Sequence, residues 1–298
     1  MTQRETILVP VDFSEPSRIA ARRALALAAD RDAGVHLVHA STMVPLGFEL
    51  EVSQSLSVEL ARAAKVRLDG FVEELDVGST PLATSFQEDD PAHAIHDAAG
   101  SADVSMIVMG SNGRRGFDRW MLGSVASQAV LGAPKPVLIV RGEVEDASKA
   151  FQSIVFATDF TERSARVESL VAAWASGLGA QVEVVHVIRD GSSGLIETLV
   201  GAGDFEDERL EAAASRLAEV VHRLSEEGVH AKSKVLSGQP ADEILRHAAS
   251  TNADLVALAT RGYTGLRRFL LGSVAQRVLS EASCSVLIDG EAAQRAEA

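Results

Sequence analysis

The sequence predicts two tandem α/β domains, each with a parallel sheet flanked by helices. Residues 109–126 read MGSNGRRGFDRWMLGSVA and residues 258–275 read LATRGYTGLRRFLLGSVA, so the stretch recurs 149 positions later in a chain of 298 residues. Apolar runs alternate with helical patterns in both halves, which indicates βαβ units. The length suffices for two domains that each bury a core.

The first half opens with the apolar run TILVPVDF, which is typical of a strand buried on both faces. The segment SEPSRIAARRALALAADRDAG then predicts a helix with Ser14 as N-cap, Pro16 in its first turn and Gly34 just past its end. The elements that follow are the strand VHLVHA, a long helix over about 49–75, the strand TPLATSFQ, the helix PAHAIHDAAG, the strand VSMIVMG, the helix SVASQAVLGA and the strand PVLIV.

The second half repeats this order of elements, from SIVFATDF to SVLID. Asp12 matches Asp159 and His39 matches His186 at an offset of 147, whereas later pairs match at 149, so a loop carries a two-residue insertion. The polar segment RGEVEDASKAFQ separates the halves. We therefore expect domains at 1–145 and 150–290, followed by a frayed tail at 291–298.

Composition narrows the classes of function. The formal net charge of -14 argues against a general nucleic-acid binder, because such proteins present surplus Lys and Arg to phosphates. A single cysteine, Cys284, excludes an intrachain disulfide framework. The N-terminal sequence has no signal pattern and no apolar run is long enough to cross a bilayer. We expect a cytoplasmic protein without nucleic-acid or membrane partners.

The repeated stretch has the chemistry of a phosphate cradle. Gly110 and Gly113 follow an apolar strand directly, and Gly123 with Ser124 opens the next helix. Glycines let the backbone approach an anion, and the N–H groups of a first helical turn favour phosphate. The stretch is neither a P-loop, since the lysine is missing, nor the dinucleotide fingerprint, which follows the first strand. The alternative is that the glycines only shape a turn and cap a helix.

Both halves resemble universal stress protein domains, over roughly residues 3–142 and 150–289. The first repeat has the complete motif Gly-x2-Gly-x9-Gly-Ser/Thr, which marks the ATP-binding subgroup, and ILVPVDFS is typical of the first strand of the family. The resemblance implies a five-stranded sheet in each half, in the order 3-2-1-4-5. It also implies pairing of the two domains through their fifth strands with pseudo-two-fold symmetry, and a homodimer of the tandem chain.

The resemblance also implies which residues bind the nucleotide. Asp12 would face the nucleoside, although its alternative role is a local turn or helix cap, and the backbone at Ala40 would meet the adenine. The glycine motif would hold the ribose and phosphates. The implied binding residues of the first half are Pro10, Asp12, Ala40, Gly110, Gly113, Arg114, Gly123, Ser124 and Val125, and those of the second half are Asp159, Val187, Ala259, Arg261, Gly262, Gly272, Ser273 and Val274.

The second repeat departs from the family pattern at two positions. Ala259 stands at the first glycine, and Ala157 replaces Pro10. Thr260 and Arg261 could compensate in part, Arg261 by a charge-assisted contact to phosphate. We therefore expect the second site to bind nucleotide more weakly than the first. Arginines flank both cradles and either attract a polyphosphate or make ordinary surface ion pairs: Arg114, Arg115, Arg119, Arg261, Arg267 and Arg268.

Other candidate sites are weaker. His93 and His96 lie three apart on a predicted helix, but without a further ligand we expect both to face solvent.

Cys284 is expected at the edge of the core. Trp120 and Phe269 are expected to anchor the repeated loop. The only carboxylate in that loop that could hold magnesium is Asp118, which the second repeat replaces with Arg267.

The sequence thus predicts a stress-response protein that binds ATP, with or without magnesium, and responds as a sensor or regulator with little or no turnover. No catalytic signature is present. A regulatory protein partner is expected but not identified by the sequence. The alternatives are a slow ATP hydrolase or phosphotransfer protein and a nucleotide-independent interaction module.

Overall fold

The computed structural model describes residues 4–42, 50–111, 122–142, 151–189, 202–260 and 271–290. The chain divides into two compact units. Unit 1 comprises Met1–Ala150 with Gly290–Ala298, and unit 2 comprises Phe151–Asp289.

Unit 1 alternates strands and helices in the predicted order. Its described strands are β1 (Thr6–Pro10), β2 (Gly34–Ala40), β3 (Leu82–Gln87), β4 (Val104–Gly110) and β5 (Val137–Val140). Its described helices are α1 (Glu15–Asp30), α2 (Leu50–Glu73), α3 (Pro91–Ala99) and α4 (Ser124–Val130).

Unit 2 repeats the same alternation. Its described strands are β6 (Ser153–Ala157), β7 (Gln181–Ile188), β8 (His230–Ser237), β9 (Leu255–Leu258) and β10 (Ser285–Ile288). Its described helices are α5 (Glu162–Leu178), α6 (Ala202–Glu226), α7 (Pro240–Ser250) and α8 (Ser273–Glu281).

The strand order within each unit confirms the predicted fold class. The order is β3-β2-β1-β4-β5 in unit 1 and β8-β7-β6-β9-β10 in unit 2, and all of these neighbours pair in parallel. The inner strands are apolar because helices cover both faces. Accordingly, every residue of β9 is buried, as are the three central residues of β1. In both units the second and fourth strands lie on opposite sides of the first strand, so the direction in which strands are added to the sheet reverses there. Parallel sheets bind ligands at such a position.

The first helix of each unit begins with a side-chain cap. The Ser17 N–H donates to Ser14 Oγ at 3.4 Å, which confirms Ser14 as the N-cap of α1, and Pro16 lies in the first turn as predicted. Thr161 caps α5 in the same way. The expectation for Gly34 was wrong: α1 ends three residues earlier at a C-cap formed by Arg31, and Gly34 is the first residue of β2.

Candidate functional site

A pocket of about 650 Å³ lies at the carboxyl edge of the sheet of unit 2. The ends of β6, β7 and β9, the start of α8 and one face of α6 line it. Six of the eight residues that the sequence implied for the second half line this pocket, although they come from four separate segments of the chain: Asp159, Val187, Ala259, Gly272, Ser273 and Val274. The other two, Arg261 and Gly262, lie outside the described residues.

The implied residues of unit 1 occupy the same topological positions. Pro10 ends β1, Ala40 ends β2 and Gly110 ends β4, so all three lie at the carboxyl edge of the sheet. Asp12 follows β1, and Ser124 with Val125 begins α4 immediately after Gly123. Several loop residues considered in the sequence lie outside the described ranges: Gly113, Arg114, Arg115, Asp118, Arg119, Trp120, Arg267, Arg268 and Phe269.

The helix that opens the cradle of unit 2 begins without a side-chain cap. Gly272 is the N-cap of α8 in an extended conformation, and it lacks a side chain that could bond the first-turn N–H groups. Ser273 adds an exposed hydroxyl at this end. The Gly272 N–H donates to Thr260 O at 2.8 Å and the Gly123 N–H donates to Ser111 O at 2.8 Å, so both units close the base of the loop in the same way. Uncapped first-turn N–H groups are suited to an anion.

One oxygen of the pocket aspartate stabilises a local turn. Asp159 Oδ1 accepts hydrogen bonds from the Thr161 N–H at 3.1 Å, the Thr161 hydroxyl at 2.6 Å and the Ser164 hydroxyl at 2.7 Å. Asp159 Oδ2 accepts none from the described part of the chain. The carboxylate can therefore hold the turn with one oxygen and accept from a ligand with the other. Asp12 makes the matching turn, because its Oδ1 accepts from the Ser14 N–H at 3.0 Å.

The residue after this aspartate belongs to a contact between two tilted rings and a guanidinium group that sequence reasoning missed. Phe160 has a φ of +62° and its ring lies 4.5 Å from that of His186, whose Nδ1 lies 2.8 Å from Thr158 O and donates to it. The Arg216 guanidinium covers the Phe160 ring at 4.2 Å. Unit 1 has the equivalent contact, formed by Phe13, His39 and Arg67. The signal was present in the sequence, because these residue types recur at the offsets of 147 and 149.

The glycine that unit 2 lacks is required in unit 1 for packing. A Cβ placed on Gly110 would lie 2.7 Å from three atoms of Pro16, two of them in the backbone. The φ of Gly110 is not positive, so left-handed conformation is not the reason for glycine. In unit 2 the position of Pro16 is taken by Arg163, and the position of Gly110 by Ala259. The two differences therefore belong to one packing contact between the first helix and the fourth strand.

Unit 2 places a buried carboxyl group beside this contact. The Thr260 N–H donates to Asp289 Oδ1 at 2.6 Å, and Arg163 Nη1 lies 3.6 Å from Asp289 Oδ2. Burial raises the pKa of Asp289, while the hydrogen bonds from Thr260 and the charge of Arg163 offset part of the rise. The position of Asp289 in unit 1 is occupied by the buried Val140. Because this bond occupies the backbone N–H of Thr260, that group cannot bind a phosphate.

The two histidines of α3 have different surroundings in the structure. His93 is exposed, as expected, and pairs with Asp89. The expectation for His96 was wrong: it is half-buried, and its Nε2 lies 2.9 Å from Ala129 O, which ties α3 to α4. Within the described ranges no group of three or more His, Cys, Asp or Glu side chains could hold a metal ion. Cys284 is partly exposed and directly precedes β10.

These observations define an α/β protein of two tandem Rossmann-like units with candidate ligand sites at the carboxyl edges of parallel sheets. The model of the universal stress protein family matches residues 3–141 and 150–289. The chain therefore belongs to the universal stress protein family, as a member with two tandem domains. Family membership supports a role in the response to stress. No helix in the described part of the chain combines the length and apolarity of a membrane span.

Relatives match one half or the whole chain. A universal stress protein of Methanocaldococcus jannaschii is 32% identical over 151 residues, which are 50% of this chain and 88% of that protein. A universal stress protein of Mycolicibacterium smegmatis is 29% identical over 290 residues and covers 95% of this chain and 96% of its own length. The crystal structure of a universal stress protein from Archaeoglobus fulgidus has a TM-score of 0.70 at 20% identity, over 97% of this chain and 99% of that chain, and supports the fold.

Proposed function

We propose that the protein binds adenine nucleotides at the carboxyl edges of its sheets and acts in the stress response as a nucleotide-dependent sensor or regulator. The observation that carries this proposal is the pocket of unit 2. It brings a carboxylate, a strand-end backbone and an uncapped helix N-terminus together from separate segments. A nucleotide needs these three types of group for its ribose, base and phosphates.

Each group has a distinct role in the proposed complex. Asp159 Oδ2 accepts from a ribose hydroxyl while Oδ1 keeps the turn. The backbone at Val187, near the end of β7, meets the adenine. Gly272 and Ser273, at the start of α8, bind the phosphates. In unit 1 the corresponding groups are Asp12, Ala40, Gly123 and Ser124.

We propose that turnover is slow or absent. Efficient phosphoryl transfer needs a held metal and a positioned nucleophile. The pocket is lined by one carboxylate, Asp159, and by no cysteine or lysine among the described residues. ATP is the proposed nucleotide, with or without magnesium. A cytoplasmic location, a homodimer of the tandem chain and a regulatory protein partner remain predictions from the sequence.

Calorimetric titration of the full chain with ATP tests the proposal. We expect the chain to bind ATP. We expect Asp159→Asn to weaken binding by unit 2 about tenfold, because the amide keeps the turn but loses a charge-assisted hydrogen bond. Asp12→Asn is the matched variant in unit 1. Steady release of ADP that Asp12→Ala abolishes would instead identify a slow ATP hydrolase. No heat and no thermal shift at millimolar ATP would contradict the proposal and favour a nucleotide-independent interaction module.

A further inference from the structure

The wall of the unit 2 pocket formed by α6 carries two arginines. Arg209, Ala212, Ala213 and Arg216 lie at positions i, i+3, i+4 and i+7, so they share one helix face, and all four line the pocket. The two residues between the arginines on this face are alanines, whose side chains are single methyl groups. Arg189, just after β7, lines the same region, and its carbonyl accepts from Arg209 Nη2 at 3.5 Å.

These arginines differ from the arginine outside the pocket on the same helix. Arg223 lies two turns beyond Arg216 and donates to both carboxylate oxygens of Glu168, at 2.6 and 2.9 Å. By contrast, neither Arg209 nor Arg216 has a carboxylate within 4 Å among the described residues. In a chain with a formal net charge of -14, the described lining of this pocket contains three arginines and one carboxylate, which suits an anionic ligand.

The arginine wall and the phosphate cradle lie on opposite sides of Asp159. The cradle follows β9, whereas α6 packs on β7 and β8, and β6 lies between β9 and β7 in the sheet. Two strand spacings, about 10 Å, separate β9 from β7. In the proposed complex the phosphates lie at the cradle after β9, the ribose at Asp159 after β6 and the adenine at Val187 in β7, so Arg209 and Arg216 face the ribose and adenine end of the nucleotide rather than its 5′ phosphates.

Unit 1 has the same helix face without the first arginine. The matching face of α2 consists of Leu60, Ala63, Ala64 and Arg67, and Leu60 is 40% exposed. Thr42, which carries no charge, stands at the position of Arg189. Arg67 covers Phe13 at 4.2 Å, the same distance at which Arg216 covers Phe160, so the two helix faces are equivalently placed. Position 209 therefore carries a positive charge in unit 2, whereas the equivalent position 60 of unit 1 carries none.

We propose that unit 2 selects adenine nucleotides that carry a second phosphate on the ribose, and that Arg209 is the residue that determines this selectivity. The inference rests on the proposed nucleotide function and names the ligand class of one of its two sites. Arg209 and Arg216 hold the ribose phosphate by charge-assisted hydrogen bonds, with Arg189 adding to the local field. Unit 1, with Leu60, prefers nucleotides whose phosphates are confined to the 5′ chain.

Two isomeric ligands test this selectivity. The bisphosphate carries about one more negative charge than ADP at neutral pH because both of its phosphates are monoesters, so the comparison between the two units is the test rather than either affinity ratio alone. ADP and adenosine 3′,5′-bisphosphate contain the same base and the same number of phosphates, but only the second has a phosphate on the 3′-hydroxyl of the ribose.

Each site is studied in the full chain after the other has been blocked. Ser124→Trp fills the cradle of unit 1 and Ser273→Trp that of unit 2. Both serines are exposed, so the fold has room for the indole, which circular dichroism verifies.

In the Ser124→Trp protein we expect adenosine 3′,5′-bisphosphate to bind about three- to fivefold more tightly than ADP. Adding Arg209→Leu should abolish the preference, and this substitution copies the residue that unit 1 already has. In the Ser273→Trp protein we expect no preference for the bisphosphate, and Leu60→Arg should create one. Equal affinities in the Ser124→Trp protein, or a preference that Arg209→Leu leaves unchanged, would overturn the inference alone. Absence of binding by both nucleotides in both proteins would overturn the proposed function with it.

Discussion

The two units differ at the first glycine of the repeated motif, and the structure relates this difference to packing. In unit 1 the motif glycine, Gly110, leaves no room for a side chain because Pro16 lies against it. Unit 2 has Ala259 and Arg163 at these positions, and Arg163 interacts with the buried Asp289. A departure from the motif therefore does not by itself show that a site is lost. The predicted weaker binding by unit 2 has to be measured.

The largest effect should come from adding a methyl group at the motif glycine. Gly110→Ala would bring Cβ to 2.7 Å from the backbone of Pro16, so helix α1 would have to shift. We expect a loss of about 2 to 3 kcal/mol in the free energy of unfolding of unit 1. Urea denaturation monitored in each unit measures it.

The matched variant in unit 2 is Ala259→Gly, which removes a methyl group where Arg163 replaces the proline. We expect a change of about 1 kcal/mol or less, from backbone entropy and lost contact. Similar losses for Gly110→Ala and Ala259→Gly would show that the glycine of unit 1 is not required by packing.

A smaller effect should distinguish the third helix of the two units. Asp90 caps α3, and its Oδ1 accepts from the N–H groups of Ala92 at 3.0 Å and His93 at 3.2 Å. The equivalent Gln239 makes no side-chain cap on α7. Asp90→Ala should therefore cost about 1 kcal/mol of stability, and Gln239→Ala close to nothing. Thermal unfolding of the two variants provides the comparison, and a stabilising Gln239→Asp would sharpen it.

The smallest effect should be a change in pH dependence due to Asp289. Because its pKa is raised in the folded protein, the folded state retains a proton that the unfolded chain releases. Stability should thus fall as the pH rises from the ordinary carboxyl pKa through the raised value, and the penalty is complete above it. Asp289→Asn removes this slope and still offers an oxygen to the Thr260 N–H.

Urea denaturation of wild type and Asp289→Asn between pH 4 and 7 measures this contribution, because the acid response of other groups cancels in the difference. The control is Val140→Ala, at the equivalent apolar position of unit 1, which should shift stability without changing its pH slope. If the difference in unfolding free energy between wild type and Asp289→Asn does not change with pH, this would contradict a raised pKa for Asp289.

Most of the fold could be predicted because its signals are local. Ser14 and the apolar runs of the inner strands act within a few residues, and the internal repeat gave the order of the elements twice. The site was less predictable, because its properties depend on contacts between distant segments. Arg163 and Asp289 lie close together although they are 126 positions apart in the sequence. Arg209 lines the pocket because of the way α6 packs against the sheet. The burial of His96 likewise depends on its contact with Ala129.

The most direct test of the central claim is a native mass spectrum of the full chain after equilibration with ATP. We predict up to two adenine nucleotides per chain, with Ser124→Trp and Ser273→Trp each removing one and the double variant removing both. If the chain carries only one, the tryptophan variant that eliminates it identifies the stronger unit. A chain that carries no nucleotide at millimolar ATP, or nucleotide that remains in the double variant, would contradict binding at the carboxyl edges of the sheets.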